Sequence, residues 1–187
     1  DIDYINATYI FDFVSKPQVI NSPSAIRGFN EKLHSVYFKD LMSENIVTAS
    51  LASIEEFLAK HIREEGFTLL AKKNGQTAAI MIVRIPGLAE DNLGEYLKIS
   101  REEMKRVAHL EIAVVVPEYQ GYGLQYELFC QSEAIVKNKQ MRYLMATVHP
   151  DNIYSFRNME KLGMKAVLET KKYGGKRRYV MSKTLES

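Results

Sequence analysis

The sequence predicts an α/β protein built on a mixed central sheet, in one domain over residues 1–187. Apolar, β-branched runs alternate with segments whose apolar residues recur every three or four positions. The turn signal Asn74-Gly75 joins two of the runs into a hairpin. A helical segment also lies between two strands, as in a parallel β-α-β unit. The predicted order of elements is β-α-α-β-β-β-α-β-α-β-β.

The N-terminal half supplies a strand, two helices and a hairpin. Residues 7–14 are aromatic and β-branched, which predicts a strand. Residues 24–45 carry apolar side chains at helical spacing, and Ser53 with Glu56 three residues later marks the start of a second helix that runs to Gly66. The hairpin strands are predicted at 67–73 and 76–85.

A long connection follows between residues 86 and 107. Ser100 and Glu103 have the spacing of a capping box, which predicts a short helix in its second half. Connections of this length are usually lids or binding loops, so we expect this one to shape a substrate site.

The central stretch of the chain is a strand, a glycine turn and a helix. The apolar run ends at Pro117, and Gly121 and Gly123 precede a helix that starts near Leu124. Such a junction points free backbone N–H groups and a positive dipole end at one place, which suits a phosphate. Tyr126 stands at the third glycine position of a dinucleotide fingerprint, and no Walker lysine follows. The turn is therefore either a phosphate site or simply a tight strand-to-helix junction.

The C-terminal part contributes a strand, a helix and a hairpin. A strand is predicted at 141–148, followed by a short helix that Asp151 or Asn152 caps and that stops at Gly163. Strands at 166–173 and 176–185 surround Gly174-Gly175.

Composition excludes several classes of protein. The formal net charge of +2 is too balanced to make nucleic acid or an acidic membrane an obligatory partner, and no run of apolar residues reaches a membrane span. Cys130 is the only cysteine, so the chain forms no internal disulfide, and a cytoplasmic setting is expected. The four histidines lack metal-ligand spacing, so no metal is assigned.

With its V-V-x-P run before the glycine turn, the chain resembles the GNAT superfamily of acyl-CoA-dependent N-acyltransferases. The family motif is matched by Gln120-Gly121-Tyr122-Gly123, whereas Gln125 departs from its third mark, where a bulkier side chain either crowds the pyrophosphate or leans aside. A second match comprises Asn152, Ser155 and the run Glu160-Lys161-Leu162-Gly163-Met164.

The resemblance implies acetyl-CoA, or a close acyl-CoA, as the acyl donor and a primary amine as the acceptor. The pyrophosphate would lie on the backbone of the glycine turn, and the pantetheine arm along the edge of the preceding strand. The cofactor-binding residues implied are Val114, Val115, Val116, Gln120, Gly121, Tyr122, Gly123, Leu124, Gln125, Asn152 and Ser155.

The resemblance also gives candidates for catalysis. Glu111 is the candidate general base, with a strand-edge or salt-bridged carboxylate as the alternative. Met159 stands where many relatives carry the tyrosine that protonates the thiolate, and a thioether has no proton to give. Tyr154 and His149 are the substitutes considered, and direct release of the thiolate is the alternative to both. The backbone N–H of Val115 or Val116 would stabilise the oxyanion.

Two further features favour ordinary structural roles. Cys130 is expected to be a small core residue rather than a nucleophile. A basic cluster surrounds the last hairpin and is either a solvated turn or an attraction for the adenosine 3′-phosphate or an acidic acceptor; its members are Lys171, Lys172, Lys176, Arg177 and Arg178.

The expected partner is a small-molecule or peptide amine, and a homodimer is also considered. Two other functions stay open. One is a non-catalytic acyl-CoA-binding or sensor domain, and the other is a protein-interaction module that uses the connection at 86–107.

Overall fold

A computed structural model describes residues 8–12, 15–19, 66–73, 76–115, 117–172 and 175–186. Its centre is an eight-stranded mixed sheet with the strand order β2-β1-β3-β4-β5-β6-β8-β7. The strands are β1 Thr8–Asp12, β2 Ser15–Val19, β3 Gly66–Lys73, β4 Gln76–Arg84, β5 Val107–Val115, β6 Tyr143–Val148, β7 Lys165–Lys172 and β8 Lys176–Thr184. Parallel pairing joins β1 to β3 and β5 to β6, and the other neighbours are antiparallel.

The described helices lie between β4 and β5, between β5 and β6, and between β6 and β7. They are a 3₁₀ helix at Leu93–Leu97, α1 at Arg101–Met104, a 3₁₀ turn at Pro117–Tyr119, α2 at Leu124–Asn138 and α3 at Ile153–Lys161. The capping box predicted at Ser100 is confirmed, because the Glu103 N–H donates to Ser100 Oγ at 3.2 Å and the Ser100 N–H donates to Glu103 Oε2 at 3.4 Å.

The sheet has a buried layer on each face. Alternate residues of β5 and β6 point to opposite faces, so Ala108 and Leu144 join the main core beneath α2, with Leu128 and Phe129. On the other face a smaller cluster contains Leu93, Val107, Tyr143, Met145 and Val180. The connection after β4 therefore covers the face opposite to α2.

One buried side chain fixes that connection. Asn92 donates from Nδ2 to the carbonyl oxygens of Gly87 at 2.7 Å and Met104 at 3.0 Å, and its Oδ1 accepts from the Gly94 N–H at 2.8 Å. A fully buried amide with all these partners holds both ends of the connection to its middle, because leaving any of them unpaired would cost about 1–3 kcal/mol.

The mixed α/β fold is confirmed, and from β3 onwards the described strands and helices follow the predicted order, including the parallel β5–β6 pair. The strand β2 is absent from the predicted order, because Pro17 follows the strand predicted at 7–14 and proline usually ends a strand. In the described sheet β2 is an edge strand, where the missing N–H of Pro17 is tolerated. The helix predicted at 24–45 and the turn at Asn74-Gly75 lie outside the described residues, as does the helix predicted from Ser53 to Gly66 except for Gly66 itself, which begins β3.

Candidate active site

The parallel strands β5 and β6 separate halfway along their length. They pair from Val107 opposite Tyr143 to Leu110 opposite Ala146, and beyond this point β5 continues to Val115, paired with β4 but no longer with β6. The edge of β5 that faces β6 is therefore not covered by β6 over its last five residues. A gap opens here at the C-terminal ends of both strands, where α/β sheets commonly bind ligands.

A glycine turn lies at the end of this gap. Gly121 and Gly123 have φ angles of +83° and +77°, and a Cβ on either residue would find no atom within 4 Å, so the space in front of them is open. Gly123 caps α2 without a side chain, and the first helical bond runs from the Glu127 N–H to the Gly123 oxygen at 3.0 Å. The N–H groups of the first three residues of α2 thus have no acceptor within the helix, as an anion site requires.

The side chain of Gln125 turns away from this turn. Its Oε1 accepts a hydrogen bond of 2.7 Å from Asn158 Nδ2 on α3. Of the two arrangements considered from the sequence, the structure has the one in which Gln125 leans aside. The amide links α2 to α3 and leaves the space before the glycine turn open.

The second helix that borders the gap is α3. Asn152 caps it through Oδ1, which accepts from the Ser155 N–H at 3.2 Å, and Ser155 itself is buried. Met159 is only 4% exposed and belongs to the main core. Its thioether is therefore a packing group, which agrees with its lack of a proton to donate.

Glu111 occupies an irregular position on β5. Ile112 pairs with Ile82 while Leu110 pairs with Val83, so Glu111 is the extra residue of a bulge. Bulges redirect side chains and are frequent next to active sites. Here the bulge falls where β6 leaves β5, and the Glu111 side chain is 24% exposed.

A buried histidine stands beside Glu111. The Leu93 N–H donates to His109 Nε2 at 3.1 Å, which requires that nitrogen to be unprotonated. The ring proton of the neutral side chain is then on Nδ1, which lies 3.7 Å from Glu111 Oε2. His109, which is 2% exposed, thus turns Nδ1 towards the carboxylate of Glu111, while its Nε2 accepts a hydrogen bond from the backbone of the long connection.

These groups line a cavity of about 80 Å³ on the face opposite to α2. Its wall combines five elements and holds Arg84, Asp91, Leu93, His109, Leu110, Glu111, Thr147 and Lys172. Leu110 and Thr147 come from the position where β5 and β6 part, so the cavity adjoins the gap. Asp91 and Leu93 belong to the connection at 86–107, so this connection forms part of the wall.

An ion pair occupies one side of the cavity. Arg84 donates to both carboxylate oxygens of Asp91, from Nη1 at 2.6 Å and from Nη2 at 2.9 Å. These hydrogen bonds hold the pKa of Asp91 below its usual value. The two charges therefore neutralise each other across the connection. No local pattern predicts this pair, because its members lie seven residues apart, one at the end of β4 and one in an irregular segment.

The remaining candidate residues lie around the gap with different surroundings. Tyr154, in the first turn of α3, is 84% exposed. His149 Nδ1 accepts from the Asp151 N–H at 3.2 Å, which engages it in the turn before α3. Gln120 Nε2 donates to the Val115 oxygen at 3.3 Å and closes the end of β5, while Val116 lies outside the described residues.

Three further features were considered from the sequence. Cys130 is half-buried and packs against the main core, as expected of a small core residue. Within the described ranges, no three His, Cys, Asp or Glu side chains gather as metal ligands. The helices that the structure describes are all too short or too polar to span a membrane.

Comparison with known proteins places this geometry among acetyltransferases. A family model described as "Acetyltransferase (GNAT) family" matches residues 32–164, which is more than half of the chain. The fold is that of the ribosomal-protein-alanine N-acetyltransferase from Brucella melitensis, with a TM-score of 0.67 at 17% identity over 84% of this chain and 95% of that one. It is also that of yncA from Salmonella typhimurium, solved with its cofactor acetyl-CoA, with a TM-score of 0.66 at 14% identity over 86% and 91% of the two chains.

A second similarity concerns a shorter stretch. The chain is 38% identical over 69 residues to the glutathione synthetase of Nostoc sp., which is 36% of this chain and 20% of that protein. The glutathione synthetase of Salmonella typhimurium is 36% identical over 63 residues, or 33% of this chain and 20% of the relative. The chain spans about a fifth of the length of these curated relatives.

Proposed function

Since the chain belongs to the acetyltransferase (GNAT) family, we propose that it transfers an acetyl group from acetyl-CoA to a primary amine. The family predicted from the sequence is confirmed by the match over residues 32–164. The observation that carries the proposal is the separation of β5 from β6 beside an open glycine turn. This arrangement offers an uncovered strand edge for an extended amide-containing arm and, next to it, a helix N-terminus for a phosphate.

The cofactor would be held mainly by backbone. The N–H groups at Gly121, Gly123 and Leu124 suit the pyrophosphate, and the edge of β5 at Val114 and Val115 suits the two amides of pantetheine. Of the other residues implied by the resemblance, Gln125 would contribute its N–H alone, because its side chain is bonded to Asn158. The remaining members of the proposed cofactor site are Val116, Gln120, Tyr122, Asn152 and Ser155.

Glu111 is the proposed general base. Acetyl transfer requires the acceptor ammonium to lose a proton, after which its nitrogen attacks the thioester carbon and the C–S bond breaks. The products are the N-acetyl amide, coenzyme A as a thiol and one proton. Glu111 lies in the cavity next to the gap, with His109 Nδ1 3.7 Å from its Oε2. Because water also reaches this partly exposed carboxylate, the proton can leave to solvent after transfer.

Tyr154 is the proposed acid for the leaving thiolate. Its support is its position, since α3 starts where β6 ends and its first turn borders the gap. Direct release of the thiolate is the competing route, because a thiol with a pKa near about 8.5 is a tolerable leaving group. Tyr154→Phe distinguishes the two: a fall in turnover of about tenfold or more supports the acid, and unchanged turnover supports direct release.

A second candidate function is acyl-CoA binding without catalysis. It is favoured by Met159, a buried thioether at the position where many relatives carry the acid, together with a glycine turn whose front is open. The cytoplasmic location, the homodimer and the single-domain organisation stay predictions from the sequence and the resemblance. Size-exclusion chromatography with light scattering tests the dimer.

One experiment separates the enzyme from the binder. Acetyl-CoA is incubated with the full chain and a panel of amines, free thiol is followed by its reaction with a disulfide dye, and acetylated products are identified by mass spectrometry. We expect amine-dependent thiol release with one acetyl group on the acceptor. Saturable acetyl-CoA binding by calorimetry without any acetylated amine would instead establish the binding function.

A further inference from the structure

The cavity beside Glu111 contains more charge than proton transfer needs. Among the described residues that line it are two bases, Arg84 and Lys172, and two acids, Asp91 and Glu111. Arg84 and Asp91 form the bidentate pair described above. Lys172 adds a positive charge to the cavity that also holds Glu111, the proposed base.

Lys172 is held in place without a carboxylate partner among the described residues. Its Nζ lies 5.1 Å from the centre of the Tyr96 ring, on the 3₁₀ helix of the long connection, and this cation–π contact holds a side chain that lines the cavity. The carboxylate of Glu169, on the same hairpin, is engaged elsewhere, because its Oε1 pairs with Arg177 Nε at 2.6 Å.

The structure thereby divides the basic cluster of the last hairpin. Arg177 is paired with Glu169 and exposed, and Arg178 donates from Nη1 to the Arg177 oxygen at 3.1 Å. Lys172 alone of the five lines the cavity. Of the alternatives drawn from the sequence, a charge that attracts an acidic acceptor fits Lys172, whereas a solvated turn fits Arg177.

We propose that the acceptor is an amine that also carries a carboxylate, as in an amino acid or a peptide with a nearby acidic group. Its ammonium lies at Glu111 and its carboxylate at Lys172. The proposal rests on the acetyltransferase function, which requires an amine next to Glu111. The carboxylate of such a ligand supplies an opposite charge to Lys172, whereas a simple amine that fills the cavity covers Lys172 without supplying one, which is unfavourable.

The test compares matched acceptors that differ by one carboxylate. Each pair is an amino acid and its decarboxylated amine, such as tyrosine with tyramine and lysine with cadaverine, and β-alanine and γ-aminobutyrate vary the distance between the two charges. We expect at least one amino acid to have a kcat/KM at least tenfold higher than that of its decarboxylated amine. Most of this difference should lie in KM, because a hydrogen bond to a charged group contributes that much to binding.

Three variants assign that preference to Lys172. Lys172→Met keeps the apolar stem and removes the charge, so it should abolish most of the preference by raising KM for the carboxylate acceptor only. Lys172→Arg should retain it. Lys165→Met, at the exposed far end of β7, is the matched control and should leave both acceptors unchanged.

The outcomes are distinguishable. If amines are acetylated but the carboxylate gives no advantage, or if the advantage survives in Lys172→Met, the inference is overturned while the acetyltransferase function stands. If no amine of the panel is acetylated, the proposed function itself fails, and the inference fails with it. The wild-type comparison decides the matter even if a variant does not fold.

Discussion

The glycine turn and the cavity beside Glu111 are built on different principles. The turn presents backbone N–H groups at the start of one helix, and the residues that form it are consecutive in the chain. The cavity presents side chains from β4, the long connection, β5, β6 and β7, which the sheet brings together. A backbone site tolerates loss of side chains but not a change of backbone shape, and a side-chain site has the opposite sensitivity.

The largest expected effect is in the cavity. Glu111→Gln keeps the shape and most hydrogen bonds but removes the basic group, so we expect turnover to fall about 10²–10⁴-fold while acetyl-CoA affinity is unchanged. The deficit should shrink as rising pH deprotonates the amine without help. Glu95→Gln, an exposed carboxylate on the nearby 3₁₀ helix, serves as control.

Two other results would redefine Glu111. Retention of the rate at neutral pH would make it structural, and an equal loss at every pH would assign it to orienting the acceptor. Steady-state kinetics across pH 6–10, with calorimetry for acetyl-CoA, distinguishes these results from the expected one.

The glycine turn should respond most to a change of backbone. Gly123→Asp places a Cβ on a residue with φ of +77° and a carboxylate at the positive end of α2, so acetyl-CoA affinity should fall about tenfold or more. Gly175→Asp matches the strain, at φ of +93° in open space on the last hairpin, and should leave affinity unchanged. Equal affinity in both folded variants would contradict the phosphate site.

Away from both sites, a buried carboxylate with two lysine partners supports α2. Glu133 pairs with Lys183 Nζ at 2.6 Å and with Lys137 Nζ at 2.9 Å, and Lys183 also donates to the Leu162 oxygen at the end of α3. Burial raises the pKa of Glu133, but the hydrogen bonds from the two lysines outweigh it and hold the pKa below its usual value. Glu133 therefore contributes stability above its unfolded pKa, and that contribution is lost as pH falls through the folded pKa.

Replacing this acid should change both the size and the pH dependence of stability. Glu133→Gln should lower the free energy of unfolding by about 1–3 kcal/mol at pH 7, as for a charged hydrogen bond. Below about pH 4 the difference from the wild type should narrow, because the wild type then loses the same charge. Urea titrations at pH 7 and at acid pH measure it, and a constant difference would contradict the assignment.

The smallest effect is expected at Gln125, beside the glycine turn. Because its side chain is bonded to Asn158, Gln125→Ala should change acetyl-CoA affinity by less than about threefold while removing one link between α2 and α3. Calorimetry measures the affinity. A large loss would mean that the amide itself contacts the cofactor, and the glycine turn would then no longer be a backbone site.

The same contrast explains which features the sequence could predict. The glycine turn, the capping box at Ser100 and the helix that starts at Leu124 depend on neighbours within a few residues, and local patterns reveal them. The bulge at Glu111, the contact of Leu93 with His109 and the placing of Lys172 over Tyr96 depend on which strands pair and in what register. No local pattern encodes these, although a histidine in an apolar strand was a usable signal.

The edge strand β2 teaches a related point. Pro17 is a reliable terminator only where a strand needs hydrogen bonds on both sides, and at the border of a sheet one side is not used. Whether Pro17 ends a strand therefore depends on the position of β2 in the sheet, which cannot be read from the segment itself.

The anchoring of the long connection by Asn92 has a consequence for engineering. The Asn92 amide holds the backbone at Gly87 and at Met104. The exposed positions between Asn92 and β4, such as Leu88 and Glu90, can therefore be varied while these hydrogen bonds keep the connection in place. A combinatorial library at these positions would sample new rims for the cavity on a constant frame. Asn92 itself is the residue that such a library must hold fixed.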